Sequence, residues 1–227
     1  MSNLFVTPEG AWGDGSVHLT QIGSILVAVV ILVLLLVAAI IRQKHSTKRA
    51  ALTTRQLVFS AVAIALAMVC SMIKLFEMPM GGSVTLLSML FIVLIAYWYG
   101  PYVGIMTAVA YGLVQFVMEP IFYTLPQMLL DYPLAFGALG LAGFFHKKKW
   151  GLPIGYAVGV LGRFALSTLS GVIFFAAYAP EGIHPLVYSI GYQASYLLPE
   201  AIVTLILLSI KPVVNALNRV KAQALEG

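Results

Sequence analysis

The chain has 227 residues, of which 61% are hydrophobic and 9% charged, with a net charge of +5 and a mean hydropathy of +0.98. Soluble domains carry about 25% charged residues, so this composition cannot cover a water-facing surface and excludes a soluble catalytic or nucleic-acid-binding domain. The single cysteine, Cys70, excludes an intramolecular disulfide and a Cys-rich metal site, and its place in an apolar run predicts a buried thiol with no chemical role.

Hydropathy predicts an all-α integral membrane protein with seven spans, near 21–41, 56–76, 84–99, 102–118, 128–145, 152–178 and 187–210. The N-terminal stretch to Gln21 is polar, has no basic start and carries Glu9 and Asp14, which argues against a secretory signal peptide. Val27–Ile41 is nearly pure Val, Leu, Ile and Ala and reads as a lipid-exposed anchor, closed by the basic stop Arg42-Gln43-Lys44. The six later spans carry Gly, Ser, Tyr and ionisable residues and form the expected functional bundle. The chain thus divides into an N-terminal part with an extra anchor and basic linker (1–55), a six-helix membrane domain (56–212) and a tail (213–227).

Orientation follows from the basic residues. Those in 42–55, Lys147 to Lys149, and Lys211, Arg219 and Lys221 make eleven of the thirteen, and all fall on one side of a seven-span chain. Positive loops remain cytoplasmic, which puts the N-terminus outside and the C-terminus inside. The opposite side carries Glu9, Asp14, Glu77, Glu119 and Glu181, together with Pro- and Gly-rich connections at 78–83, 119–127 and 179–185. Such residues stop helices and permit tight turns, so the shaped loops are expected outside. Tyr99–Tyr102 is a bare turn on the inner side.

Charges within the spans are the first functional candidates, because each costs at least ~2.5 kcal/mol unpaired at mid-membrane. Asp131 lies roughly 6 Å in from the outer end of its helix, where it could face a cationic ligand or bond to Ser or Tyr on a neighbouring helix. Arg163 and Glu200 fall at ~16–20 Å of depth and are expected to form a structural ion pair. Lys74 can snorkel towards Glu77. Tyr188, Tyr192 and Tyr196 recur every four residues on one helical face, near Phe174, Phe175 and Tyr178. Their rings suit a ring-shaped cation beside a carboxylate, and equally suit packing against other helices. Ala61/Ala65 and Ala63/Ala67 are small pairs at i, i+4 that permit close helix contact, within the chain or with a partner. No P-loop motif is present to hold ATP, and no His-Glu-x-x-His; the four histidines lie outside or at the ends of the spans, so no metal site or other cofactor is expected.

Three separated motifs then resemble a known family. Met80-Gly81-Gly82-Ser83-Val84-Thr85-Leu86-Leu87-Ser88-Met89, Asp131-Tyr132-Pro133-Leu134-Ala135-Phe136-Gly137, and Ser170-Gly171-Val172-Ile173-Phe174-Phe175 through Tyr178-Ala179-Pro180-Glu181-Gly182 to Tyr188-Ser189 are similar to the thiamin-specific S components (ThiT family) of energy-coupling-factor transporters. The likeness covers about 55–212 and leaves the first span as an addition to a six-helix S-component bundle. It implies a multi-pass subunit of the bacterial cytoplasmic membrane that binds thiamin, or a close heteroaromatic analogue, from outside. Such a subunit is not an enzyme; it passes its ligand through a membrane coupling (T) subunit and two cytoplasmic ATPases. It also implies a pocket at Asp131, Tyr132, Phe175 and Tyr188, with Gly171 nearby, and docking of the coupling subunit on Ala61 and Ala65. The family site has Glu where Asp131 stands, His at Ser167, Trp at Phe175 and Asn at Gln193; no aromatic near Gly82 matches a family tryptophan. A reading from a different class is a self-sufficient proton-coupled transporter relaying protons through Asp131, Arg163 and Glu200. An intramembrane enzyme ranks last, for want of a nucleophile–base set.

Overall fold

A computed structural model describes residues 6–8, 17–19, 52–78 and 82–226. The predicted first span, 21–41, and most of the linker after it lie outside the described residues. Two short strands, β1 (Val6–Pro8) and β2 (Val17–Leu19), pair antiparallel ahead of it.

The first described helix, α1 (Thr54–Met72), opens on a capping box: Gln56 N donates to Thr53 Oγ1 and Thr53 N donates to Gln56 Oε1. Antiparallel strands β3 (Lys74–Glu77) and β4 (Ser83–Thr85) follow, and then α2 (Ser88–Tyr99). Here the predicted spans 56–76 and 84–99 ran too long. Pro79 and the Gly81-Gly82 pair turn the chain at that point, and the flanking residues bond across a hairpin instead of along a helix. At 12 residues α2 is ~18 Å long, shorter than a bilayer core. It is apolar all round and almost entirely buried, the mark of a core helix.

Gly100, at φ +89°, makes the bare turn into α3 (Pro101–Met118), which starts on a proline. The next helix, α4 (Leu125–Phe145), is irregular. It widens to a π-turn at Leu130–Leu134 and tightens to 3₁₀ turns over Ala138–Phe145. Pro133 lies inside the π-turn and has no N–H to give. Next come α5 (Gly151–Phe174), a 3₁₀ turn (Ala176–Tyr178) where the predicted span 152–178 had continued the helix, α6 (Pro185–Leu207), and an amphipathic α7 (Lys211–Leu225).

Five of these helices are long and apolar enough to cross a membrane, and α2 completes a bundle of six. The core lies where α2, α3, α4 and α5 meet, around fully buried Met89, Ile92, Ile95, Tyr111, Leu139 and Tyr156. The outermost helix, α1, buries Ala63 and Ala67 and leaves Leu57, Val58, Val62, Leu66 and Val69 exposed, as lipid contact requires. Cys70 is only half-buried, because it sits on this helix and not in the core. At the basic end of the bundle α7 is tied on: Arg55 Nη1 donates to Gln223 O (3.4 Å), Tyr99 OH to Ala224 O (3.0 Å), and Lys221 Nζ lies 4.2 Å from the Tyr97 ring centroid.

Candidate ligand cavity

A cavity of about 490 Å³ opens at the other end, walled by the β3–β4 hairpin and by α3 to α6. Small-molecule sites run from ~300 to 1,000 Å³, so a two-ring ligand fits. All seven residues expected at a ligand site, Asp131, Tyr132, Ser167, Gly171, Phe175, Tyr188 and Gln193, line this one cavity. They come from three helices, and each does something different there.

Asp131 sits in the π-turn of α4, where Pro133 denies the helix a regular ladder. Its Oδ2 accepts from Gln127 Nε2 at 2.6 Å. Gln127 is wholly buried, and it also donates to Ile121 O (3.2 Å) and accepts from Tyr123 N (3.0 Å). One amide therefore holds the carboxylate and the α3–α4 loop together. Tyr132 is a clamp as well: its hydroxyl donates to Glu119 O (2.7 Å) and accepts from Ile121 N (2.9 Å). Only its ring is available to the cavity, and that ring packs edge-on against Phe116 at 5.0 Å.

From α5 come Ser167, Gly171 and Phe175. A side chain at Gly171 would strike Ser189 Oγ at 2.7 Å, so glycine lets α5 and α6 close on each other. Phe175 meets Tyr123 edge-on at 5.4 Å and Tyr178 at 6.2 Å, and the Tyr123 and Tyr178 hydroxyls are 3.2 Å apart. That hydrogen bond, together with burial, pushes the Tyr123 phenol above its usual pKa.

The tyrosine ladder of α6 is as the spacing predicted: Tyr188–Tyr192 at 6.2 Å, Tyr192–Tyr196 at 5.8 Å, all three on the cavity wall. Gln193 spans between helices, donating to Ser167 O (3.1 Å) and accepting from Tyr196 OH. Gly82, on the hairpin, donates its N–H to Tyr192 OH at 3.0 Å. A Cβ there would lie 2.7 Å from the Tyr196 ring, so only glycine lets the hairpin close against the ladder. The same contact explains the missing aromatic near Gly82: the space is occupied from α6.

The expected Arg163–Glu200 ion pair is not formed. Glu200 accepts from Thr85 Oγ1 (2.5 Å), Ser88 Oγ (3.1 Å) and Met89 N (3.0 Å). It thereby caps the N-terminus of α2, which begins inside the bundle after Leu87 at φ +61° and has no side-chain cap of its own. Arg163 instead lies over Phe136, with Cζ 3.9 Å from the ring centroid. Equal depth did bring both residues to the cavity wall, but their helix faces give each a different partner.

Sequence reasoning missed Gln127 and the mouth of the cavity. There Lys74 Nζ bridges Glu77 (2.6 Å) and Glu119 (2.5 Å), joining the hairpin to the end of α3. These two carboxylates, Glu119 foremost, hold the Lys74 ammonium above its usual pKa. The Lys74–Glu77 contact had been expected; Glu119, distant in sequence, had not.

Residues 57–218 match the family model described as thiamine transporter protein. The chain belongs to this family. The thiamine transporter ThiT of Bacillus subtilis is 35% identical over 165 residues, which are 66% of this chain and 84% of the relative. Its namesake in Lacticaseibacillus paracasei is 30% identical over 97 residues, 37% of this chain and 48% of that one. A solved structure of ThiT from Listeria monocytogenes superposes with a TM-score of 0.58 at 26% identity, covering 69% of this chain and 94% of the other. As a family member with several apolar helices, the chain is a multi-pass transport protein of the bacterial membrane. All three relatives match the bundle expected over 55–212, and the family model begins after the first predicted span.

Proposed function

We propose that this chain is the substrate-binding membrane subunit of an energy-coupling-factor importer, capturing thiamin from outside the cell. The observation that carries the reading is the cavity itself: a half-buried carboxylate, Asp131, faces a three-tyrosine ladder and Phe175 within about 490 Å³. A flat heteroaromatic cation gains from aromatic faces and from an opposite charge together. The names of the B. subtilis, L. paracasei and L. monocytogenes relatives support thiamin as that cation. Asp131, Phe175, Tyr188 and Ser167 are the proposed direct contacts. Tyr132, Gly171 and Gln193 would position the others, because their polar groups or space are already taken up.

The proposed orientation has the cavity outside and the basic end, with Lys147 to Lys149 and α7, in the cytoplasm. Residues 56–212 are the proposed binding domain, with 1–55 an added anchor and 213–227 a cytoplasmic tail. Ala61 and Ala65 are exposed on α1, while Ala63 and Ala67 face inward. That leaves the Ala61/Ala65 face as the proposed docking surface for a coupling subunit, with two ATPases beyond it. A proton relay through Asp131, Arg163 and Glu200 has no support in this geometry, since no hydrogen bond joins the three among the described residues. The test is a thiamin titration of purified protein followed by intrinsic fluorescence. Saturable quenching at sub-micromolar thiamin is expected; absence of saturable binding to the folded protein overturns the reading.

A further inference from the structure

The charges on the cavity wall are not all neutralised. Lys74 is held between Glu77 and Glu119, and Glu200 is taken up by Thr85, Ser88 and Met89 N. Two groups of opposite sign remain, Asp131 and Arg163. Asp131 has one neutral donor, Gln127. Arg163 donates no hydrogen bond to any described residue, and its buried Nε has no acceptor.

The two are set at different depths. Arg163 is one helical turn below Ser167 and two below Gly171 on α5, roughly 6 and 12 Å further from the mouth. The ring beneath it, Phe136, follows Asp131 on α4 by about a turn, again on the deeper side. The cavity therefore carries negative charge above and positive charge at its floor. Stacking on Phe136 holds the guanidinium plane and leaves the edge of the fork for an acceptor. A guanidinium so held suits an anionic oxygen group, phosphate above all, through paired N–H···O bonds.

We propose that Arg163 forms a second, anion-recognising subsite at the cavity floor, so that the cavity takes ligands with a cationic ring and an anionic arm, namely a phosphate monoester of the thiamin-type cation. This deepens the thiamin reading and rests on it. Arg163 is here a specificity-determining residue, and Asp131 and Arg163 sort the two ends of one ligand.

The test uses full-length purified protein in lipid nanodiscs, titrated calorimetrically with thiamin, thiamin monophosphate and inorganic phosphate. Wild type is expected to bind the monophosphate within threefold of thiamin or more tightly. In Arg163→Gln the monophosphate-to-thiamin affinity ratio should fall at least tenfold. Arg163→Lys keeps the charge but loses the fork, and should lower the same ratio at least threefold; it decides the matter if the glutamine variant does not fold. Monophosphate binding more than tenfold weaker than thiamin in wild type, or an unchanged ratio in both variants, overturns the proposal. Thiamin binding without monophosphate binding overturns this inference alone. Loss of both in folded wild type overturns the thiamin reading with it. Inorganic phosphate alone is expected to bind weakly and to be displaced by the monophosphate; phosphate that stays bound beside it would place the anion elsewhere and overturn the subsite.

Discussion

Replacing Asp131 by Asn removes one charge from the cavity with little change of shape. The asparagine oxygen can still accept from Gln127 Nε2, which now lies 2.6 Å from the carboxylate, so the α3–α4 loop stays fastened. What is lost is attraction to a bound cation. At a charge separation of about 5 Å and an effective dielectric constant of ~20, that attraction is about 3 kcal/mol, falling to about 0.8 kcal/mol in bulk water. The half-buried site lies between these limits and nearer the first, which gives a loss of about 1.4–3 kcal/mol, or ten- to about 150-fold in affinity. Calorimetric titration of Asp131→Asn with thiamin at pH 7 measures this directly. A neutral analogue, with carbon in place of the quaternary nitrogen, should bind wild type and variant within threefold of each other. A loss below threefold for thiamin itself, or an equal loss for both compounds, would refute a charge-based role for Asp131.

Exchange of Ala61 or Ala65 for Leu should leave thiamin affinity of the purified protein unchanged and abolish uptake by whole cells, because both residues are exposed on α1; lost binding would instead put that face inside the fold. Gly82→Ala forces a Cβ to within 2.7 Å of the Tyr196 ring, and should cost about 1–3 kcal/mol by overpacking, read as a lowered thermal midpoint together with faster thiamin release. Glu200→Gln keeps an acceptor for Met89 N but disturbs the three-donor arrangement at the start of α2. It should destabilise the fold by about 1–3 kcal/mol, whereas Arg163→Gln should cost markedly less; equal losses in both variants, with no further loss in the double variant, would restore the ion pair that the geometry denies.

Much of this protein was legible in its residues. Hydropathy alone identified the membrane class and the order of the six described helices, because each apolar run must match the bilayer whatever its neighbours do. The four-residue spacing of Tyr188, Tyr192 and Tyr196 identified a shared face, since helical period is a local property. Motif order carried the family resemblance and with it the seven cavity residues. Partnership was not legible. Depth along a helix is one coordinate, and it put Arg163 and Glu200 level; rotation about the helix axis and the identity of the neighbouring helix are set by packing. Only the tertiary structure turned Glu200 to the start of α2 and Arg163 to Phe136. It also brought Lys74 to Glu119 across the mouth and Gln127 to Asp131 within the loop. Which charges of the cavity are neutralised, and which are left for a ligand, was decided there, because a charge in a low-dielectric site takes whichever donor or counter-charge packing brings within reach.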